Sequence, residues 1–129
     1  MSPHVMVVLS NAKPGQDEPF NRWYSDVHMI ETIDRLDGFL SAQRYRRADL
    51  DGAPPCPYRY LAVYEIPDDE LETAYAQFTW QRAERAAATA AGRAPVVSVS
   101  DTLQPDPFLV GFFSPITERV LSTRTREPA

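Results

Sequence analysis

The order in which the hydrophobic period changes along this 129-residue chain constrains its fold more than any single residue does. His4 to Ser10 (His-Val-Met-Val-Val-Leu-Ser) is a β-branched run of strand length. Pro14-Gly15 then marks a turn. Asp17 is placed to cap a helix, with Glu18 and Pro19 in its first turn, where both are favoured. Phe20, Trp23, Tyr24, Val27 and Ile30 follow at the i, i+3, i+4, i+7 spacing of one apolar helix face. Asp37-Gly38 closes that helix, because glycine adopts left-handed backbone at little cost.

The second half extends the pattern. Phe39 to Arg46 alternates as a strand, and Ala48 to Pro57, with Asp51-Gly52 and Pro54-Pro55, is a loop. Tyr58 to Ile66 is a third strand, stopped by Pro67. A second helix starts at Asp68, with Leu71, Ala74, Tyr75 and Phe78 on one face. Its alanine-rich continuation reaches Ala91, either unbroken or with a break near Trp80, and Gly92 and Pro95 stop it. Pro95 to Pro107 reads as a loop whose strand-like stretch is Val96-Val97. Phe108 to Phe113 is the last strand. The order β-α-β-β-α-β predicts an α+β, ferredoxin-like plait, with both helices on one face of a four-stranded antiparallel sheet. Residues 1–114 make this single domain, and 115–129 form a polar tail placed to cross to a partner subunit.

That plait leaves one sheet face bare, and large exposed apolar faces mark interfaces or binding sites. If Val5, Val7 and Leu9 point to the helices, then His4, Met6, Val8 and Ser10 point away. If Leu61 and Val63 do the same, Tyr58, Tyr60, Ala62 and Tyr64 point away. On this assignment the bare face is aromatic, suited to a sheet-to-sheet dimer, a ligand cavity or both.

Composition removes several classes of function. No segment approaches the ~18 uninterrupted apolar residues of a membrane span. Met1-Ser2-Pro3-His4 lacks the basic start of a secretory signal. Cys56 is the sole cysteine, so no internal disulfide forms, and a cytoplasmic location is expected. A net charge of −5 opposes nucleic acid and acidic membranes as partners. The chain has no glycine-rich phosphate loop, no paired CxxC and no serine-centred elbow. The main enzymatic option left is chemistry without a cofactor.

Phe20-Asn21-Arg22-Trp23-Tyr24-Ser25-Asp26-Val27-His28, then Gly38-Phe39, then Ser41-Ala42-Gln43-Arg44-Tyr45 resemble, in order and spacing, the dimeric α/β-barrel superfamily. Within it they are most similar to the EthD-like branch. The resemblance covers roughly residues 3 to 78 and the last strand. The family pattern often has proline two residues after the histidine, where this chain has Ile30. The extension after Phe78 and the loop to Pro107 lie outside the pattern. The resemblance implies a homodimer whose sheets face each other and close into a barrel, with a pocket between sheet and helices in each subunit. It also implies cofactor-independent acid–base chemistry on small, often aromatic or lactone-like molecules.

His28 is the first candidate, as a general base or acid at the pocket; its competing reading is a helix-flank histidine bonded to a carbonyl. Tyr60 and Tyr64 are candidates to hold an enolate oxygen, against ordinary packing of tyrosines whose tips stay wet. His4, Trp23, Tyr24, Tyr45, Arg44 and Phe112 are candidate substrate-binding residues, Arg44 through its planar fork. His28 with Glu31, Asp26 and Asp34 is a poor ligand set, so no metal is expected. Cys56 has no cationic neighbour close in sequence to activate it. The leading expectation is a cofactor-free cyclase, dehydratase, isomerase or lyase acting on a small hydrophobic, oxygenated substrate. The alternatives are a non-catalytic dimeric module that binds such a molecule, and a cofactor-free monooxygenase of an aromatic ring.

Overall fold

The computed structural model describes residues 3–125, so Met1, Ser2 and the last four residues of the tail lie outside the described residues. Strands β1 (His4–Ser10), β2 (Ser41–Arg46), β3 (Tyr60–Ile66) and β4 (Leu109–Phe113) form one antiparallel sheet in the order β2-β3-β1-β4. Helix α1 (Asp17–Trp23) passes through a π-helical turn (Tyr24–His28) into α2 (Met29–Arg35), and α3 is one unbroken helix, Leu71–Ala91. This is the ferredoxin-like α+β plait that the segment order predicts. Among the described residues no helix is long and apolar enough to cross a membrane.

The two sheet faces are reversed from the sequence expectation. Met6, Val8, Ser10, Tyr60, Ala62, Tyr64 and Ile66 are buried beneath the helices. Val5, Val7, Leu9, Leu61 and Val63 lie on the open face, which is therefore aliphatic. Both parities of β1 and β3 are apolar, so alternation alone does not choose between them. Polar tips decide. Under the helices the Tyr60 hydroxyl donates to Asp17 Oδ2 at 2.6 Å, and the Tyr64 hydroxyl donates to that of Tyr24 at 3.2 Å. Buried tyrosines need such partners.

Helix α1 begins at Asp17 without the side-chain cap expected there; its carboxylate instead accepts from Tyr60 and pairs with Arg59 at 2.8 Å. The π turn has a larger consequence. Phe20, Tyr24, His28, Thr32 and Leu36 recur every fourth residue and all face inward. A straight α-helix would rotate them apart by about 40° per step. The wide turn inserts one residue's worth of backbone and moves the inward position from Val27 to His28. Val27 and Ile30, expected on the apolar face, are accordingly 41% and 45% exposed.

Gly38 has φ +95°, and a Cβ there would meet the Ala74 backbone nitrogen at 2.7 Å. Only glycine lets the end of α2 lie this close to the first turn of α3. Gly92, with φ +70°, ends α3 in the left-handed conformation, its chain reversal held by Arg93 N donating to Ala88 O.

Candidate functional site

The inward faces of the π turn, α2 and α3 do not close completely on the sheet. They leave a cavity of about 100 Å³. Its floor is Met6, Val8, Tyr64 and Val110; Trp23, Tyr24, His28 and Thr32 form one wall, and Phe78, Gln81, Arg82 and Arg85 of α3 the opposite one. The roof is the segment after α3, through Val97, Val99, Ser100 and Leu103, with Phe108 at its end.

That roof is held by polar bonds at several points. Glu84 accepts from Val96 N and from Arg93 Nη1, both at 2.7 Å, and these bonds hold its carboxyl below the usual carboxylate range. Arg35 donates to Val96 O at 3.0 Å. Ser98 has all three of its polar groups bonded to the first helical stretch: its nitrogen donates to Glu31 Oε1 at 2.8 Å, its hydroxyl oxygen accepts from Trp23 Nε1 at 2.9 Å, and its carbonyl accepts from His28 Nδ1 at 3.0 Å. Further along, Lys13 N donates to Thr102 O and Gln104 N to Asn11 O, which ties the segment to the end of β1. A loop in sequence terms is thus a fixed cover.

His28 has the carbonyl bond of its competing reading, donated from Nδ1–H, and also borders the cavity. The first bond fixes the tautomer and leaves Nε2 unprotonated. The ring is stacked near Trp23 at 4.6 Å and meets Tyr24 edge-on at 4.9 Å. Burial is the main cause that lowers its pKa to about 4; the Ser98 carbonyl opposes this, the Arg85 charge adds to it, Glu31 opposes and Arg44 adds. At neutral pH the imidazole is uncharged.

Tyr24 and Tyr64 are both held neutral, their pKa values raised chiefly by burial. Because Tyr64 donates to Tyr24, the Tyr24 hydroxyl keeps its own hydrogen for a further acceptor. Arg44 lies 4.4 Å from the Tyr24 ring centroid, with the Phe20 and Tyr60 rings at 5.5 and 5.3 Å, and donates Nη1 to Ser25 Oγ at 2.9 Å. Its positive charge favours the tyrosinate and so makes Tyr24 a stronger donor.

The structure gathers His28, Trp23, Tyr24 and Tyr64 around the cavity and puts Arg44 behind Tyr24. It sets the other candidates elsewhere. Tyr60 is engaged by Asp17 and Asn21 and borders a separate surface groove. Tyr45 is on the open sheet face, 45% exposed. His4 is bound to Ser114 Oγ and the Asp68 carbonyl at the sheet end. Phe112 packs on Tyr75 and Phe78 behind the cavity wall. Sequence reasoning missed Gln81, Arg82, Arg85 and Ser98. The signal for the first three was present: the face of Ala74 and Phe78 continues helically to Gln81, Arg82 and Arg85, where it turns polar. Among the described residues no three His, Cys, Asp or Glu side chains converge as a metal site would require.

Fold and site together define a ferredoxin-like α+β protein with an enclosed, largely apolar cavity carrying one neutral histidine. No family model matches the chain, and no curated protein does. A similar solved structure is that of "a putative monooxygenase" from Shewanella loihica PV-4, 19% identical, with 91% of this chain and 98% of that chain covered and a TM-score of 0.48. At that distance the likeness carries no information on activity.

Proposed function

We propose that the protein is a cofactor-independent acid–base enzyme acting on a small, oxygenated, mainly apolar molecule, with His28 as the base. The observation that carries this reading is the placement of His28: Nδ1–H is engaged by Ser98 and the ring lines the same cavity as the Tyr24–Tyr64 hydroxyl pair. The base Nε2 takes a proton from carbon next to a carbonyl. The C–H electron pair moves onto the carbonyl oxygen, and the Tyr24 hydroxyl, oriented by Tyr64, donates to the enolate that forms. Returning the proton to a different carbon gives isomerisation; expelling a group gives elimination or retro-aldol cleavage; attack on a second carbonyl gives cyclisation. The growing enolate charge raises the proton affinity of the imidazole as the transfer proceeds.

A cavity of about 100 Å³ accepts a short chain, or a single small ring that extends past its rim, since it takes about 150 Å³ in an engineered cavity to hold benzene whole. In this reading the chain stands closest to the EthD-like branch of the dimeric α/β barrels, with a cytoplasmic location that suits its exposed free Cys56. The aliphatic open face then receives a second copy, with the tail beyond Pro115 at the same edge as β4; sedimentation at micromolar concentration gives twice the 14.6 kDa chain mass, and a monomer refutes the pairing.

The test of the chemistry needs no knowledge of the final product. Wild type and His28→Ala are incubated in D2O with small cyclic ketones, lactones and 1,3-dicarbonyls, and exchange at the activated carbon is followed by NMR. Wild type accelerates exchange, and the variant loses about 10²-fold or more while melting normally. Absence of accelerated exchange in wild type, or equal exchange in both, defeats the proposal; ligand binding without exchange identifies a binding module. Oxygen uptake with electron-rich phenols identifies the oxygenase alternative.

A further inference from the structure

Arg85 is the unusual residue of the cavity. Its Nε is buried and has no hydrogen-bond partner. Nη2 donates to Gln81 Oε1 at 2.8 Å, a neutral acceptor. The carboxylate whose charge acts on it, Glu84, is already engaged by Val96 N and Arg93. Arg82, one turn earlier, lies with its guanidinium 4.5 Å from the Phe78 ring centroid and borders the same cavity from an exposed position. Among the residues lining the cavity there are two arginines and not one Asp or Glu.

A guanidinium held in an apolar wall without a carboxylate is a costly arrangement. An anion entering the cavity completes it. The planar fork with a free Nε–H matches a carboxylate, which carries one charge and two coplanar oxygens. A phosphate dianion would need more donors than the single interior arginine supplies, and the cavity volume favours the smaller group.

We propose that Arg85, assisted by Arg82 at the rim, is a carboxylate-binding subsite, so that the substrate is a small organic acid. This rests on the cavity being the site of the acid–base chemistry above. The carboxylate sits on α3 and the reacting carbon faces His28 on the opposite wall. Gln81 accepts from Nη2 and so helps fix the orientation of the guanidinium.

The experiment compares matched carboxylate and amide pairs, crotonate with crotonamide and benzoate with benzamide, by calorimetry on the full chain. Wild type binds the carboxylate at least about tenfold more tightly than the amide, the scale of a hydrogen bond to a buried charge. The ratio falls to near one in Arg85→Met and in Arg85→Gln, and about two- to threefold in Arg82→Ala, as befits an exposed charge. The His28→Ala variant retains the wild-type ratio while losing deuterium exchange, which separates the two assignments. Equal binding of acid and amide by wild type, no binding of either, or an unchanged ratio in both Arg85 variants overturns the subsite. In each of those cases the exchange assay still judges His28 by itself.

Discussion

Two hollows among the described residues differ in how their charges are answered, and the proposed chemistry falls in the smaller one. The groove between α1 and the β2 end of the sheet has a volume of about 650 Å³, against about 100 Å³ for the cavity beneath α3. Four arginines and four acids line the groove, and three of these pairs are closed: Arg22–Glu18 at 2.9 Å, Arg47–Asp49 at 2.7 Å and Arg59–Asp17 at 2.8 Å. The cavity has two arginines, no acid and a neutral histidine. Charges in the groove are answered by water and by each other, so each contributes little. In the cavity Arg82 is exposed at the rim, but Arg85 is part-buried with its Nε unpartnered and no carboxylate bonded to it, so its charge is screened less. Size tells where a ligand could fit; unanswered polarity tells where one would be held most strongly.

The largest effect that sharpens this contrast is in the pH dependence of stability. In the folded protein His28 has a pKa of about 4, against 6.5 for an ordinary histidine. Between those values the unfolded chain takes up a proton that the folded chain refuses. The contribution of His28 is therefore complete above about pH 6.5, declines as pH falls and levels off below about pH 4. The linkage relation gives a loss of about 2 kcal/mol by pH 5 and about 3 kcal/mol in all. Urea unfolding at pH 7 and pH 5 measures it: wild type loses about 2 kcal/mol more than His28→Gln. Equal losses in the two proteins would mean that His28 is hydrated like the groove residues, and the contrast would fail.

The plait and the histidine were legible in the sequence, and the resemblance implied a pocket; much of the lining of that pocket was not legible. Segment order, Gly38 and the aromatic run leading to His28 are local signals, and local signals are read reliably. The sheet faces were hidden because β1 and β3 are apolar on both sides, and the choice rests on hydroxyl partners such as Asp17 for Tyr60, distant in sequence. The π turn was hidden because one extra residue in a helical turn has no compositional mark, although Phe20, Tyr24, His28 and Thr32 at a strict spacing of four are its trace. The roof lacked any period, and only Val96, Val97, Val99 and Leu103, too apolar for a solvated loop, hinted that it is buried. Arg85 was hidden by a sound general rule, that arginine on a helix faces water. Functional sites are where such rules fail.

A smaller effect tests the same contrast directly, by removing one arginine from each hollow. The change Arg59→Met opens an ion pair whose side chains are 47% and 28% exposed, leaving Asp17 with its Tyr60 bond. It lowers stability by less than about 1 kcal/mol, the ordinary scale for such pairs. Arg85→Met has the opposite sign. It removes a guanidinium whose Nε is buried and unpartnered, gives up one neutral hydrogen bond to Gln81 and keeps most of the side-chain volume. Replacing a poorly compensated buried charge by an apolar side chain raises stability, here by about 1 kcal/mol. A protein that becomes more stable when it loses a residue is holding that residue for another purpose. Thermal melts of the two variants, side by side, read the signs. Should Arg85→Met melt lower than wild type, as Arg59→Met does, the cavity arginine is a packing element like its counterpart in the groove, and the two hollows differ in size alone.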